Sequence, residues 1–561
     1  MKNEKKINDL ITLLNNKQYG KIIFEIESNF DDKKINSQVL LILGLAKIKS
    51  PDRNFDDVLS SLQNFKEGYI LDKTSKIGLE CLRYYFYGVS EKLEQKKTLS
   101  LDEYEEIKKF FFEAKSVFKY DEKLFYAMSL INFKSTNVDF RLNVLKELID
   151  KDCSREKNLI LYEYIYNNNL RYNWSQNDFL NFSNKIKEKL PIIDLPKIKE
   201  FKKKKIKIGF ISSDLASDHP VTYFMKDLFC YRNENFEIHI FSDLDVNRED
   251  NITKIIKRNV DYFHYISNKN NIELARFLRS IGIDVLIDIN DILKGRVEIF
   301  NSRICKLQIS WLGYNNTIGL NHSDYLIADK NLILEKEKDL YKEKIIYLDG
   351  IWNSHSGLNI ERKYNQLPSL NSGTFTLGSF NNYSKISDET ILVWSKILKK
   401  VKNSKLILKS SVSYSEIHFK ELFDKEGVLN NVTFKSRSNN FEQHINLYKD
   451  IDLCLDTFPY TGVTTTCEAL WMNVPVISMT GFNFNSRCGE SILINSNLKN
   501  LVAKNKDDYI SKAVSFANDL NKLEQTRKFI FDQVLKTNTF NTKKFAVNFW
   551  KSILDTYTNH K

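Results

Sequence analysis

The sequence predicts an α/β fold of two doubly wound domains, preceded by an all-α region. Two observations support this prediction. Over residues 1–195, apolar positions recur at three- and four-residue spacing, while glycine and proline are rare. After residue 205, short runs rich in β-branched and aromatic residues alternate with helical stretches, and this series starts again near residue 374. The 561 residues are enough for about three or four domains.

The helical region, residues 1–195, contains stretches that resemble degenerate tetratricopeptide units, which are helical hairpins with a period of about 34 residues. The stretches are "LLILGLAKIKSPDRNFDDVLSSLQNF" (40–65) and "LDEYEEIKKFFFEAKSVFKYDEKLFYAMSLINF" (101–133). A plain helical domain fits the pattern equally well. The basic segment 196–205, marked by Pro196, is predicted to be a solvated linker; a phosphate-binding patch is the alternative, but it lacks supporting aromatic residues.

Two series of short β-rich runs define the predicted α/β domains, residues 206–350 and 374–561, the second ending in helices. A polar segment without clear periodicity, residues 351–373, separates them. Ligands of such sheets bind outside the carboxyl ends of the strands, so we expect a site in the cleft between the two domains. The first series is "IKIGFISS", "FEIHIFS", "DVLIDIN", "LQISWLG" and "DYLIAD"; the second is "TFTLGSF", "SKLILKS", "NVTFKS", "IDLCLD" and "VPVISM".

The amino-acid composition argues against several classes of protein, including nucleic-acid-binding, zinc-binding and membrane-spanning proteins. The formal charge of +12 arises from 84 basic and 72 acidic residues that are well mixed, which permits anionic ligands but does not indicate nucleic acid. The seven cysteines form no CxxC pair and no zinc-like cluster with histidine, so we expect free thiols and no metal site. The N-terminus lacks the apolar core of a signal peptide, and the run "VLLILGLA" (39–46) is too short to cross a membrane. These features predict a cytoplasmic protein without a transmembrane segment.

Two motifs place polar residues after predicted strands. In "FISSDLASDHPVTYFM" (210–225), His219 precedes Pro220 on a loop, where an imidazole can exchange protons near neutral pH. In "SFNNYSKISDETILVW" (379–394), Lys385 lies beside a helix start and can meet a phosphate. Taken alone, each residue also fits an ordinary loop histidine or a solvated lysine.

A third motif, "DTFPYTGVTTTCEALW" (456–471), joins a strand to a helix. Gly462 lets the backbone approach a ligand closely. The hydroxyls of Thr464 and Thr465, together with the N–H groups of the helix start, would form an anion site. Glu468, one turn later, could bind ribose hydroxyls. Simple helix capping by threonine is the alternative interpretation.

The order of these motifs resembles the catalytic part of the O-linked N-acetylglucosamine transferases, a two-domain glycosyltransferase family. The resemblance covers residues 206–545 and is strongest in "GFISSDLASDHP", "IDVLIDINDILKGRVEIFNSRICKLQISWLGY", "SDYLIADK", "SFNNYSKI" and "CLDTFPYTGVTTTCEALWMNVPVISMTGFNFNSR". It implies a GT-B-type fold of two Rossmann-like domains, often preceded by tetratricopeptide repeats. It also implies an inverting, metal-independent transfer from a nucleotide sugar.

The resemblance also implies residue roles. Thr464 and Thr465 would contact the diphosphate and Glu468 the ribose, while His444, in "FEQHINLY", would stack on uracil. Lys385 would neutralise the leaving diphosphate. His219 would lie near the acceptor hydroxyl as one of several candidates for the base. The full implied set is His219 and Lys385 for catalysis, and Asn382, His444, Gly462, Thr464, Thr465, Thr466 and Glu468 for the donor.

Four departures from the family pattern lie near the donor. Val463 stands where the family usually has histidine, and Glu468 replaces an aspartate. The segment "NDILKG" (290–295) replaces a more polar loop, and the lysine often found between Phe434 and His444 is missing. These changes leave the identity of the donor sugar open.

The expected function is transfer of N-acetylglucosamine from UDP-N-acetylglucosamine to Ser or Thr of a protein acceptor, which the N-terminal helices would recruit. No cofactor beyond the donor is expected. Alternatives are an Asn- or Ser/Thr-hexosyltransferase using UDP-glucose, a fucosyltransferase using GDP-fucose, and an enzyme acting on a glycolipid or small molecule. From another class, a catalytically weak, tetratricopeptide-like binding protein remains open.

Overall fold

The computed structural model describes residues 2–30, 35–94, 99–134, 136–153, 157–198, 205–216, 219–290, 292–293, 296–409, 414–436, 438 and 440–560. The chain divides into two compact units. One comprises Met1–Ile160 with Val412–His418, and the other comprises Leu161–Ser411 with Phe419–Lys561. No helix of the described residues is long and apolar enough to cross a membrane.

The N-terminal part of the chain is helical, as predicted. Side-chain caps stabilise the starts of several helices: Ser100 and Glu103 form a reciprocal capping box at the start of the helix Leu101–Phe118. The helix Ser37–Lys49 packs on the helix Phe55–Leu71, where a Cβ on Gly44 would lie 2.5 Å from the ring of Phe65, so a larger residue would force this ring to shift. The described helices are α1 (Lys2–Asn15), α2 (Tyr19–Asn29), α3 (Ser37–Lys49), α4 (Phe55–Leu71), α5 (Lys76–Glu94), α6 (Leu101–Phe118), α7 (Glu122–Lys134), α8 (Val138–Asp150), α9 (Lys157–Asn169) and α10 (Gln176–Lys187).

A seven-stranded parallel sheet forms the first α/β domain, in the order β3-β2-β1-β4-β5-β6-β7. The strand order reverses between β1 and β4, and the carboxyl ends of these two strands therefore border a crevice where ligands bind in such sheets. The elements are β1 (Ile206–Ser212), α11 (Thr222–Met225), β2 (Phe236–Ser242), α12 (Asn251–Arg258), β3 (Tyr262–Tyr265), α13 (Asn271–Ile281), β4 (Val285–Asp288), α14 (Val297–Asn301), β5 (Leu307–Ser310), β6 (Tyr325–Ala328) and β7 (Lys344–Tyr347).

A six-stranded parallel sheet forms the second α/β domain, in the order β10-β9-β8-β11-β12-β13, and its order reverses between β8 and β11. The elements are α15 (Pro368–Ser372), β8 (Phe375–Ser379), α16 (Asp388–Lys400), β9 (Ser404–Lys409), α17 (Tyr414–Lys425), β10 (Val432–Lys435), α18 (Phe441–Asn446), β11 (Leu453–Leu455), α19 (Thr464–Trp471), β12 (Val476–Met479), α20 (Phe484–Asn495), β13 (Val502–Ala503), α21 (Lys506–Asn518), α22 (Leu520–Gln533) and α23 (Thr542–Asn559).

The last helix, α23, packs against the first sheet rather than the second. The indole N–H of Trp550 donates to the carbonyl of Leu228 at 3.2 Å, and Phe549 lies 4.7 Å from Trp311 between ring centroids. The predicted fold class, an all-α region followed by two doubly wound α/β domains, is confirmed.

Candidate active site

The loop between β11 and α19, residues 456–463, is folded around the buried carboxylate of Asp456. One oxygen of this carboxylate accepts the N–H groups of Thr457 at 2.9 Å and Gly462 at 2.7 Å. The other accepts the hydroxyl of Ser478 at 2.7 Å. Asp456 is 2% exposed, and burial raises its pKa to about 6. The carboxylate thus fixes the loop that leads into α19.

Gly462 brings this loop close to the first turn of α19. A Cβ at Gly462 would lie 2.6 Å from the hydroxyl of Thr465 and 2.9 Å from that of Thr466, so a larger residue would collide with both. Val463, the N-cap residue, contributes no side-chain cap to the helix. Thr464 and Thr465 are partly exposed. Hydroxyls and N–H groups at a helix N-terminus can together bind an anion.

Lys385 ends a 3₁₀ turn, Tyr383–Lys385, that faces this loop. Its ammonium donates to the carbonyl of Thr461 at 3.1 Å and lies 4.4 Å from the ring centroid of Tyr460. Burial lowers the pKa of Lys385, and the carboxylate of Asp456 opposes that shift. The exposed Asn382 caps the turn, because its side-chain oxygen accepts the N–H of Ser384 at 3.0 Å. The structure therefore brings Lys385, Asn382 and the start of α19 to one edge of the second sheet.

His444 and Glu468 lie in one hydrogen-bonded network. The ammonium of Lys409 lies 2.5 Å from Nδ1 of His444, and Nε2 of His444 lies 3.1 Å from the Glu468 carboxylate. A lysine ammonium can only donate, so Nδ1 accepts and Nε2 carries the proton towards Glu468. The hydroxyl of Tyr448 also donates to Glu468, at 3.1 Å. Burial and the Glu468 carboxylate raise the pKa of Tyr448 well above its usual range.

On the first domain, His219 lies beside a buried carboxylate. Its Nε2 is 3.6 Å from Oδ2 of Asp214, whose side chain is 6% exposed, while 29% of the imidazole side chain is exposed. The N–H of Val221 points to Nδ1 of His219 at 3.4 Å. A partly exposed imidazole beside a carboxylate can take up a proton and be stabilised when it does so.

The stacked rings of Tyr223 and Phe441 connect the two sides of the cleft. Their centroids lie 5.9 Å apart with 22° between the ring planes. Tyr223 lies in α11, shortly after His219, and Phe441 begins α18, which carries His444. Burial, followed by the carboxylate of Glu468, raises the pKa of Tyr223 to about 12. The His219 loop and the His444–Glu468 network therefore border the same cleft.

Sequence reasoning assigned no role to three residues that organise the site: Asp214, Lys409 and Asp456. Each ends or closely follows a parallel strand at its carboxyl end, namely β1, β9 and β11. Polar residues at such strand ends are a signal for ligand sites, so this rule could have identified them. No comparable signal marked Tyr223, because an aromatic residue after a loop usually belongs to the core.

Two of the departures from the family pattern fall partly outside the described residues: in "NDILKG" residues 291, 294 and 295, and in the loop before His444 residues 437 and 439. Within the described ranges, Asn290 has a structural contact, since its side-chain oxygen accepts the N–H of Ser213 at 2.7 Å. The described residues contain no group of three or more His, Cys, Asp or Glu that could hold a metal ion.

The family model described as "Glycosyl transferase family 41" matches residues 183–355 and 355–549 of this chain. The chain is 31% identical over 343 residues to a probable UDP-N-acetylglucosamine–peptide N-acetylglucosaminyltransferase SPINDLY of Eustoma exaltatum, covering 59% of this chain and 37% of that protein. It is 27% identical over 377 residues to the Arabidopsis thaliana protein SEC, which has the same enzymatic description, covering 65% of this chain and 38% of that protein.

Among solved structures, a variant of the O-GlcNAc transferase of Thermobaculum terrenum superposes with a TM-score of 0.76 at 20% identity. The alignment covers 95% of this chain and 99% of that one. This similarity supports the fold, both the helical region and the two sheets. The chain spans only 37% to 38% of the length of these plant relatives.

Proposed function

Because the chain belongs to glycosyl transferase family 41, we propose that it transfers a sugar from a nucleotide-sugar donor to a hydroxyl of a protein acceptor. UDP-N-acetylglucosamine is the favoured donor, and Ser or Thr the favoured acceptor residue. The plant relatives support this choice, since their descriptions name that donor and a peptide acceptor. UDP-glucose and GDP-fucose are the competing donors.

The contact of Lys385 with the 456–463 loop supports this function most strongly. Its ammonium lies 3.1 Å from the carbonyl of Thr461, three residues before Thr464 begins α19. In a single in-line displacement, negative charge builds on the leaving diphosphate as the glycosidic bond breaks. A preorganised ammonium and a helix N-terminus stabilise that charge where a metal ion does so in other enzymes. The proposed reaction is therefore inverting and metal-independent.

The remaining roles follow the chemistry of each group. Thr464, Thr465 and Thr466 would bind the diphosphate, and Glu468 would accept hydrogen bonds from the ribose. His444 would stack on the base. His219, with its 3.6 Å contact to Asp214, would accept the proton of the acceptor hydroxyl, and the carboxylate would stabilise the resulting imidazolium.

The proposal is tested with a panel of UDP, UDP-N-acetylglucosamine, UDP-glucose and GDP-fucose, measuring donor hydrolysis and thermal shift. A ligand bound only by the native state raises the melting temperature, so the correct nucleotide should produce a shift. The double variant Thr464→Ala/Thr465→Ala should lose it. The matched control Thr558→Ala, at an exposed position of α23, should keep it. Absence of both shift and hydrolysis at millimolar concentrations of every ligand would overturn the proposal.

A further inference from the structure

A buried asparagine at the end of α9 connects the helical segment to both α/β domains. The side-chain oxygen of Asn169 accepts from the amide of Asn316 at 2.9 Å and from the amide of Asn485 at 2.7 Å. Its own amide donates to the hydroxyl of Tyr314 at 2.8 Å. Asn316 follows β5 and Asn485 lies in α20, while Asn169 is only 4% exposed. These residues all lie in the compact unit that begins at Leu161.

From this asparagine, a chain of hydrogen bonds leads to Lys385. The carbonyl of Asn485 accepts the hydroxyl of Thr461 at 3.2 Å. The carbonyl of Thr461 in turn accepts the ammonium of Lys385 at 3.1 Å. The position of the ammonium is thus tied, through two residues, to the end of α9.

A second connection starts two residues later. The guanidinium of Arg171 donates to the carbonyl of Ser384 at 3.1 Å. Ser384 is the middle residue of the three-residue turn that ends at Lys385. Because such a short 3₁₀ turn has few hydrogen bonds of its own, the bond from Arg171 to the carbonyl of Ser384 restricts the motion of the turn. One connection therefore holds the ammonium of Lys385, and the other holds the backbone turn that carries Lys385.

We propose that Arg171 and Asn169 are positioning residues for Lys385: they hold its turn and its ammonium in the orientation that the leaving diphosphate requires. This inference rests on the proposed function for its effect on rate, whereas its effect on the Lys385 turn is independent of any activity. Neither residue needs to touch the donor. Displacing a catalytic group by about 1 Å can cost on the order of a hundredfold in rate, so the loss of one anchor is measurable.

The experiment compares Arg171→Ala, Arg171→Lys and the control Arg279→Ala in the full-length chain. Arg279 likewise donates to two backbone carbonyls, those of Pro196 and Arg303. It lies at the amino ends of the strands of the first sheet, on the side opposite to the cleft. For Arg171→Ala we expect turnover to fall between about tenfold and a hundredfold with UDP affinity within about twofold of wild type. Arg171→Lys, which keeps the positive charge and one donor nitrogen, should recover part of the rate.

Two further measurements separate positioning from a general structural role. Amide hydrogen exchange over residues 382–386 should become about tenfold faster in Arg171→Ala and stay unchanged in Arg279→Ala. In a Lys385→Ala background, Arg171→Ala should have no additional effect on turnover, because the group it positions is gone. Additive losses, or unchanged exchange in the turn, would overturn the inference.

The failure modes are distinguishable. A wild-type protein that shows neither a thermal shift nor hydrolysis with any donor contradicts the proposed function, while the exchange measurement still decides the role of Arg171. A large loss of UDP affinity in Arg171→Ala would instead identify Arg171 as a donor-binding group and overturn the positioning role.

Discussion

The backbone N–H of Gly462 donates to the carboxylate of Asp456 across 2.7 Å, and this bond shapes the loop before α19. Asp456 is buried, and the same carboxylate also accepts from Thr457 and Ser478. This acceptor holds Gly462 close to the first turn of the helix, where the threonine hydroxyls lie. The geometry of the proposed diphosphate site thus depends on a residue that would not itself touch the ligand.

The substitution Asp456→Asn should alter the pH dependence of stability. Burial raises the pKa of Asp456 to about 6, against about 3.9 in an unfolded chain. The folded state therefore binds this proton more tightly than the unfolded state does. The resulting contribution to the free energy of unfolding is about 3 kcal/mol; it is fully present below a pH of about 4 and is lost as the pH rises through about 6. The asparagine variant lacks this titration. As the pH rises from about 4 to about 6, the melting temperature of the variant should therefore increase relative to that of wild type.

Melting curves across this pH range provide the measurement, with Asp555→Asn at an exposed position of α23 as the matched control. Parallel curves for wild type and Asp456→Asn would show that the carboxylate does not titrate in this range.

Replacement of Lys385 by alanine should reduce turnover on the order of a hundredfold, about 3 kcal/mol, with little change in donor affinity. The reason is that charge on the diphosphate grows towards the transition state. Single-turnover transfer and donor affinity should be measured on one preparation, with Lys399→Ala, a surface position of α16, as control. Turnover close to wild type would contradict the catalytic role. Weaker donor binding at unchanged turnover would assign Lys385 to ground-state binding.

EDTA should leave transfer activity largely intact. In the proposed mechanism, Lys385 and the N-terminus of α19 would supply the positive charge that a metal ion provides in other nucleotide-sugar enzymes. Initial rates with and without the chelator, followed by addition of Mg²⁺ or Mn²⁺, are sufficient. Loss of activity that either ion restores would refute the metal-free mechanism.

Removal of residues 1–156 should lower glycosylation of a protein acceptor far more than hydrolysis of the donor. This truncation keeps α9 and α10, whereas deletion of residues 1–195 also removes Asn169 and Arg171 and should lower both activities. The physical reason is that a helical array offers surface for a partner but supplies no donor contact. Circular dichroism should confirm folding. Equal losses in a folded 1–156 truncation would point to a structural role for these helices.

The sequence predicted the fold class because hydrophobic periodicity is a local signal. The stretches with helical spacing before residue 195 form helices in the structure, and the β-rich runs after residue 205 form parallel strands. The predicted site residues were found through motif order, and the structure brings the ammonium of Lys385 to the carbonyl of Thr461 in the loop that precedes Thr464. Their chemical roles stay predictions.

Long-range partners could not be predicted from spacing. Lys409 and His444 are 35 residues apart, and Arg171 and Ser384 are 213 apart, so no local pattern relates them. The strand-end rule marks Asp456 and Lys409 as candidates but does not say what each one contacts. Asn169 is the last of three consecutive asparagines in "IYNNNL", and only the folded chain shows which of them joins the two domains.

The network around His444 has a consequence for base selection. Lys409 and Glu468 contact the two ring nitrogens of His444, so both polar atoms of the imidazole already have protein partners. The rings of Phe380, Phe441 and Tyr448 meet it at tilts of 56° to 63° and do not stack on it. A nucleobase would then interact with its ring face, and stacking is largely indifferent to base identity. If His444 meets the base as proposed, selectivity between uracil and guanine must therefore arise outside this imidazole, and exchanging His444 alone should weaken nucleotide binding without converting one preference into the other.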